Sequence, residues 1–334
     1  MTCHPILLMG GSGAIGGHAA RALRADYPDV PLLIAGRNLE KANKAAAELG
    51  GAQGVVIDPN SPDFGLGQHT ISAVVVLYKD HALTGQRLAQ VLRIPHLSIS
   101  SGVFEIAPEI ASFMHQPHAS AIVLGYEWLV GATTVPTLDL AKAFSRVQEI
   151  RMGALVDEED GGGPAVAEDF EHLNRMMPAA LSLKDGVYVW REGQEAKTTF
   201  AAIDGHDIEA SGFSSIDVVG LAAATGAQNV QFDLGTGVSS SRRKGDAFST
   251  EIILELAGLD HAGNPLRTRH AVLHPKGAAP LTGMGIALIL ERLLGLDGKP
   301  PVSPGLYFPY QILDAARYLA RLSQDGGQVL QLPA

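Results

Sequence analysis

Over roughly its first third the chain alternates short, unbroken apolar runs with longer stretches whose apolar residues recur three and four apart. The runs predict strands at Ile6–Met9, Leu32–Ala35, Gly54–Ile57, Ala73–Leu77, His96–Ile99 and Ala121–Leu124. Continuous aliphatic and β-branched residues suit strands buried on both faces. Between them IGGHAARALRADY, NLEKANKAAAELG, LTGQRLAQVLR and FEIAPEIASFMH carry helical spacing. This alternation predicts an α/β fold, a Rossmann-type doubly wound parallel sheet.

From about Ser145 the pattern changes. RVQEIRMGALV, GVYVWRE, TTFAAI, NVQFDLG and FSTEIILELAGL alternate or run apolar as strands do, and PLRTRHAVL pairs with the last of them across the turn DHAGNP. PAVAEDFEHLNRMM and SSIDVVGLAAATG interrupt them as helices, which predicts a second, mixed α/β domain. Helical spacing returns in PLTGMGIALILERLLGL and YQILDAARYLARLSQ. DEEDGGG at 157–163 reads as a solvated loop.

The first strand stops in glycine, and Gly11-Ser12-Gly13-Ala14-Ile15-Gly16 matches G-x-G-x-x-G. The pattern is weak in a chain with 38 glycines, but here a buried strand precedes it, a helix follows, and a second strand completes a βαβ unit. Gly11 then permits the tight turn, Gly13 lets a pyrophosphate approach the backbone, and Gly16 lets the helix pack on the strand. Free N–H groups at the helix start would hold the phosphates. At the end of the second strand, where an NAD site usually has an acid, stands Arg37, whose guanidinium suits a 2′-phosphate. Asn38 and Lys41 add a donor and a second positive charge, so the expected cofactor is NADP(H). Asp58 closes the third strand, either as an adenine contact or as a turn residue. Leu77 and Ser100, ending the fourth and fifth strands, complete the expected cofactor-binding set.

Composition narrows the partners. The 334 residues carry a formal charge of −10, with 25 Lys and Arg against 35 Asp and Glu. That balance argues against a nucleic-acid partner, whose phosphates require clustered basic residues, and favours a small-molecule substrate. Cys3 is the only cysteine, so no intramolecular disulfide is possible and a reducing compartment is expected. MTCHPILLMGG lacks the marks of a signal peptide, and no apolar stretch reaches the ~18 to 20 residues that span a bilayer. A soluble, cytoplasmic protein with no membrane partner is the expectation, and an exposed sheet edge in the second domain would make a homodimer unsurprising.

Ligands of doubly wound folds sit at the carboxyl ends of the strands. Tyr78, Lys79 and His81 after the fourth strand are therefore the catalytic candidates, each able to donate a proton as hydride arrives. Ser100 and Ser101 follow the fifth strand. Tyr126 and Glu127, after the sixth, are candidate substrate contacts facing an expected interdomain cleft. Arg242 and Arg243 in SSSRRKGD would either clamp a substrate carboxylate or form a basic surface turn. No tyrosine heads the Y-x-x-x-K pair of short-chain dehydrogenases, and no G-x-S-x-G elbow or G-K-[ST] loop occurs. His115 and His118, or His270 and His274, have poor spacing for a metal, so none is expected.

With these residues in place the chain resembles the saccharopine dehydrogenase-like NAD(P)-binding oxidoreductases, a family that includes saccharopine reductases and trans-acting enoyl reductases. The similarity runs through AGRNLEKANKAAAELG, VVVLYKDHALTGQRLAQVLRIPHLSISSG, GATTVPTLDLA, SSIDVVGLAAATGAQNVQFDLG and the closing helices. It implies a discontinuous NADP-binding domain, 1–130 with 278–334, and an inserted mixed α/β substrate or dimerisation domain, 131–277. The implied activity is NADP(H)-dependent transfer of hydride to a C=N bond of the imine, opine type or to a polarised C=C bond. The alternatives are a non-catalytic dinucleotide-binding sensor or trans-acting partner subunit, and a dehydrogenase running in the oxidative direction. Two departures matter. The family's small Gly-Pro-containing turn after the fourth strand is Tyr78-Lys79-Asp80-His81 here, and the acid often found after the fifth strand is replaced by Ser98, Ser100, Ser101 and Gly102.

Overall fold

The computed structural model describes residues 4–61, 63–99, 102–161, 171–172, 175 and 179–333. Cys3, Ser100, Ser101 and most of the segment expected to form a helix at 164–177 lie outside the described residues. The chain divides into two compact units, Met1–Tyr126 with Thr282–Leu313, and Glu127–Leu281 with Asp314–Ala334.

The first unit is built on β1 (Ile6–Met9), β2 (Leu32–Gly36), β3 (Ala52–Val56), β4 (Ala73–Val76), β5 (His96–Ser98) and β6 (Ala121–Leu124). The helices α1 (Ala14–Asp26), α2 (Leu39–Leu49), α3 (Thr84–Leu92) and α4 (Ala107–His115) alternate with them. The strand order β3-β2-β1-β4-β5-β6, parallel throughout, is that of a Rossmann sheet. Every residue of β1, β4, β5 and β6 is buried; β1, β4 and β6 accordingly read as unbroken apolar runs, whereas β5 buries His96 and Ser98 on either side of Leu97. Helix α1 buries Gly16, Ala19, Ala20 and Leu23, one face at helical spacing. Helix α2 starts where the Asn38 side chain accepts a hydrogen bond from the Lys41 amide.

The second unit holds a mixed sheet. Its strands are β7 (Phe144–Asp157), β8 (Ala180–Lys184), β9 (Val187–Arg191), β10 (Lys197–Ala201), β11 (Asp207–Gly212), β12 (Asn229–Gly237), β13 (Thr250–Asp260) and β14 (Pro265–His274). β7 and β12 are parallel, and the remaining pairings in this sheet are antiparallel. The expected hairpin forms with Thr250 opposite His274 and Leu259 opposite Pro265. Helices α5 (Thr134–Ala141) and α6 (Ile216–Thr225) belong to this unit, as does the short α7 (Ser240–Arg243). The Ser215 hydroxyl caps α6 by accepting from the Asp217 amide.

The last sixty residues depart from a simple helical tail. After α8 (Ala278–Leu293), β15 (Gly305–Tyr307) adds a seventh parallel strand beside β6. The second predicted helix is split into α9 (Pro309–Ile312) and α10 (Ala315–Gln324), where Asp314 caps the new start by accepting from the Arg317 amide. Finally β16 (Gln328–Leu332) pairs antiparallel with β14, so residues 314–334 fall in the second unit rather than the first. The three-residue β15 is too short to show a period. Among the described residues no helix is long and apolar enough to cross a membrane.

Candidate functional site

The glycine turn stands at the carboxyl end of β1, an inner strand flanked by β2 and β4. Gly10 opens it with φ +82°, a conformation that L side chains rarely adopt, and its amide donates to the Ala35 carbonyl at 2.9 Å. The Gly13 amide donates to the Gly10 carbonyl at 3.0 Å, and Gly13 caps α1 without a side-chain hydrogen bond. Gly16 is buried against the turn, where a Cβ would lie 2.5 Å from the Gly11 Cα. The Gly17 amide closes the first helical bond to Gly13, so the amides of Ala14, Ile15 and Gly16 have no acceptor within the helix. No acidic side chain occupies that first turn. The turn therefore fits a pyrophosphate: a narrow backbone cradle, a helix N-terminus and no competing anion.

The Ser12 hydroxyl lies 3.9 Å from the Cβ position of Gly36, at the end of β2 and beside exposed Arg37. Lys41 is exposed one turn further on, while the Asn38 carbonyl oxygen serves as the helix cap. Asp58 is exposed and its Oδ1 accepts from the Asn60 amide at 2.9 Å, a turn-forming bond. The Leu77 amide donates to the Met9 carbonyl at 2.9 Å, tying the end of β4 to β1.

Tyr78 stands against the glycine turn, its Cδ1 3.1 Å from the Cβ position of Gly10. Burial, and then the nearby Asp80 carboxylate, push the Tyr78 phenol up to about 12, with Arg37 opposing the shift. It stays protonated at neutral pH, so it can donate a hydrogen bond but does not act as a base. Lys79 forms a salt bridge with Glu105, both side chains being mostly buried, and Glu105 also accepts from the Gly102 amide at 3.0 Å. His81 is exposed in the loop before α3.

Tyr126 is buried within the first unit. Its hydroxyl lies 2.7 Å from the Ser98 Oγ and 2.5 Å from both carboxylate oxygens of Glu109 on α4. Burial raises the Glu109 carboxyl above its ordinary range, against the Tyr126 hydrogen bond and the Lys79 charge, while Asp80 and Glu105 add to the rise. Gln86 on α3 donates to the Glu109 backbone carbonyl at 2.9 Å. The structure thus gathers Lys79, Ser98 and Tyr126 from three strand ends and surrounds them with two acids absent from the sequence expectations. Glu105 stands three residues after Gly102, a spacing at which a carboxylate reaches back to an amide. Glu109 carries no such mark.

The remaining candidates lie in the second unit. Glu127 is buried and accepts from the Thr134 hydroxyl. Arg242 donates to Asp157 at 2.8 Å and also meets Glu158 and Glu159. Arg243 grips both oxygens of Asp204, at 2.7 and 2.8 Å. Both guanidinium groups already hold the chain's own carboxylates, which favours the surface-turn alternative over a substrate clamp.

A parallel sheet with this strand order and a glycine-rich first turn defines a dinucleotide-binding fold. No family model matches the sequence, and no curated protein matches it. Among solved structures, saccharopine dehydrogenase (L-Glu forming) from Saccharomyces cerevisiae is similar with a TM-score of 0.69 and 13% identity, over 99% of this chain and 100% of that one. An oxidoreductase from Agrobacterium radiobacter, solved with NAD+, L-tartaric acid and magnesium, is similar with a TM-score of 0.51 and 9% identity, over 96% of this chain and 94% of that one. The chain shares the fold of these proteins.

Proposed function

We propose that the chain is a nicotinamide-dinucleotide-dependent oxidoreductase that prefers NADP(H) and reduces a C=N or polarised C=C bond of a small molecule. The observation that carries this reading is the β1 turn: amides without helical acceptors in a backbone cradle, with Arg37 and the Ser12 hydroxyl at the adjacent strand end. The two solved structures above support it, one being a saccharopine dehydrogenase and the other an oxidoreductase holding NAD+. Ala14, Ile15 and Gly16 would hold the pyrophosphate, and Arg37 and Lys41 the 2′-phosphate.

The nicotinamide, when bound, supplies the hydride. Lys79 then serves as the proton donor, since its ammonium stands at the carboxyl end of β4 and Glu105 holds it in place. Tyr78 walls the glycine turn and keeps its proton, so it orients by donating rather than acting as a base. Titrating the protein with NADPH and NADH while following cofactor fluorescence tests the first step. NADPH binding tighter than NADH, and a loss of about tenfold or more in Arg37→Ala for NADPH alone, is the expected result. Equal or absent binding overturns it.

A second reading, a dinucleotide-binding partner subunit, is favoured by one observation: Lys79 and Tyr126 are both engaged by the chain's own carboxylates. NADPH binding without turnover on imine and enone panels, together with co-purification of a second protein, is its signature.

A further inference from the structure

Three hydroxyl and carboxyl groups in the first unit make a hydrogen-bond chain that can run in either direction. With Glu109 ionised, Ser98 donates to Tyr126 and Tyr126 donates to Glu109. With Glu109 protonated, its hydroxyl donates to Tyr126, and Tyr126 donates to Ser98. Both arrangements use the same contacts, 2.5 and 2.7 Å, so the proton can be added without moving a heavy atom. Glu109 and Ser98 also border a chamber of ≈ 10 Å³ with Tyr78, Asp80, Gln86 and His96, about the space that one water needs.

The chamber's walls call for such a water. Gln86 and His96 are 1% and 2% exposed, and Gln86 Oε1 and His96 Nδ1 are buried with no hydrogen-bond partner among the described residues. The Gln86 amide nitrogen is already committed to the Glu109 carbonyl, leaving Oε1 as an acceptor. Burial holds His96 neutral, with its pKa lowered to about 3, so its ring also offers an acceptor. With Glu109 protonated, Tyr126 donates to Ser98, and the Ser98 hydroxyl is left to donate to a water that itself donates to both acceptors. Asp80 and Tyr78, which also line the chamber, are both partly exposed.

We propose that Ser98, Glu109 and Tyr126, with one water in the adjoining chamber, form a proton store that feeds the strand-end site. Its use in turnover rests on the reductase reading. Hydride addition to the carbon of C=N is balanced by a proton passed from the Lys79 ammonium to the nitrogen, and Glu109, which feels the Lys79 charge, returns a proton to the neutral Lys79 amine and ends as a carboxylate. Solvent then replaces that proton through the chamber, so each cycle consumes one hydride and one proton. The charged or titratable groups acting on Glu109 are Lys79, Asp80, Glu105 and Tyr126, with His96 across the chamber.

Infrared spectra of the cofactor-free chain in H2O and D2O test the store directly. Near pH 5, about where an ordinary glutamate is mostly ionised, wild type is expected to show a protonated-carboxyl stretch that Glu109→Gln removes and Tyr126→Phe shifts. Ser98→Ala, which leaves the carboxyl in place, shifts it less and serves if the Glu109 variant does not fold, as judged by circular dichroism. A spectrum that Glu109→Gln leaves unchanged, or a band indifferent to Tyr126→Phe and Ser98→Ala, overturns the proposal. A band that responds as expected in a protein that fails to bind NADPH supports the store and defeats only the reductase reading.

Discussion

At the scale of the residue, the strand-end site turns on which groups can part with a proton. Tyr78 holds its proton because burial and Asp80 both oppose a phenolate. In the proposed reaction Lys79 is the group that gives one up, held by its ion pair with Glu105. Lys79→Ala is therefore expected to lower kcat by about 10²–10⁴-fold while leaving the NADPH dissociation constant within about twofold, measured by steady-state kinetics and fluorescence titration. Glu105→Gln keeps the contact with Gly102 and should cost less. An equal fall in cofactor affinity in Lys79→Ala would place the residue in binding rather than proton transfer. Arg37→Ala is expected to act in the other sense, lowering NADPH affinity alone.

At the scale of the element, the decisive unit is β1, its turn and α1. The turn is narrow because backbone meets backbone: a Cβ on Gly16 would lie 2.5 Å from the Gly11 Cα and 2.6 Å from its carbonyl oxygen. Gly16→Ala must push α1 away from β1 or widen the turn. Either response is expected to lower stability by about 1–3 kcal/mol and to weaken NADPH binding, read by thermal melts with and without NADPH. A variant with unchanged melting temperature and unchanged affinity would show that the turn yields more readily than its packing indicates. The same unit explains what was legible early. β1 and β6 begin and end where their apolar runs do, whereas β3 begins at Ala52 rather than Gly54 because an edge strand can extend its ladder through flanking residues such as Ala52 and Gln53 that lie outside the apolar run.

At the scale of the whole molecule, the two units carry buried titratable groups that respond to acid in opposite senses. In the first, His96 is held neutral, so the unfolded chain binds more protons below pH 6.5 and this contribution to stability is lost as pH falls toward about 3. In the second, Asp217 is fully buried under the Ser215 cap and the Trp128 amide, and burial raises it to about 6. The folded state then binds more protons than the unfolded one between about pH 4 and 6, so this contribution falls as pH rises through that window. A shift of roughly two units corresponds to about 3 kcal/mol. Asp217→Asn keeps an acceptor for the Trp128 amide, and should be more stable than wild type above about pH 6, the advantage vanishing near pH 4. Chemical denaturation followed across that range checks it, and a difference independent of pH would show that Asp217 is not the titrating group.

The sequence by itself determined six of the seven strands of the first sheet, because strands buried on both faces are mainly apolar and the helices between them must bury one stripe; it did not mark the three-residue β15. It also determined the glycine turn, where only missing side chains allow the approach, and the basic residue at the end of β2. Only the tertiary structure decided what lies at the strand ends. Glu105 comes from a loop where only its spacing from Gly102 stands out and Glu109 from a helix whose pattern carries no mark, and they become partners of Lys79 and Tyr126 because the parallel crossovers bring the ends of β4, β5 and β6 together. It decided likewise that Arg242 and Arg243 are spoken for by Asp157 and Asp204, residues 85 and 39 positions away along the chain. Local patterning follows from which face of an element must leave water, whereas pairing between distant charges follows from where the folded backbone places them.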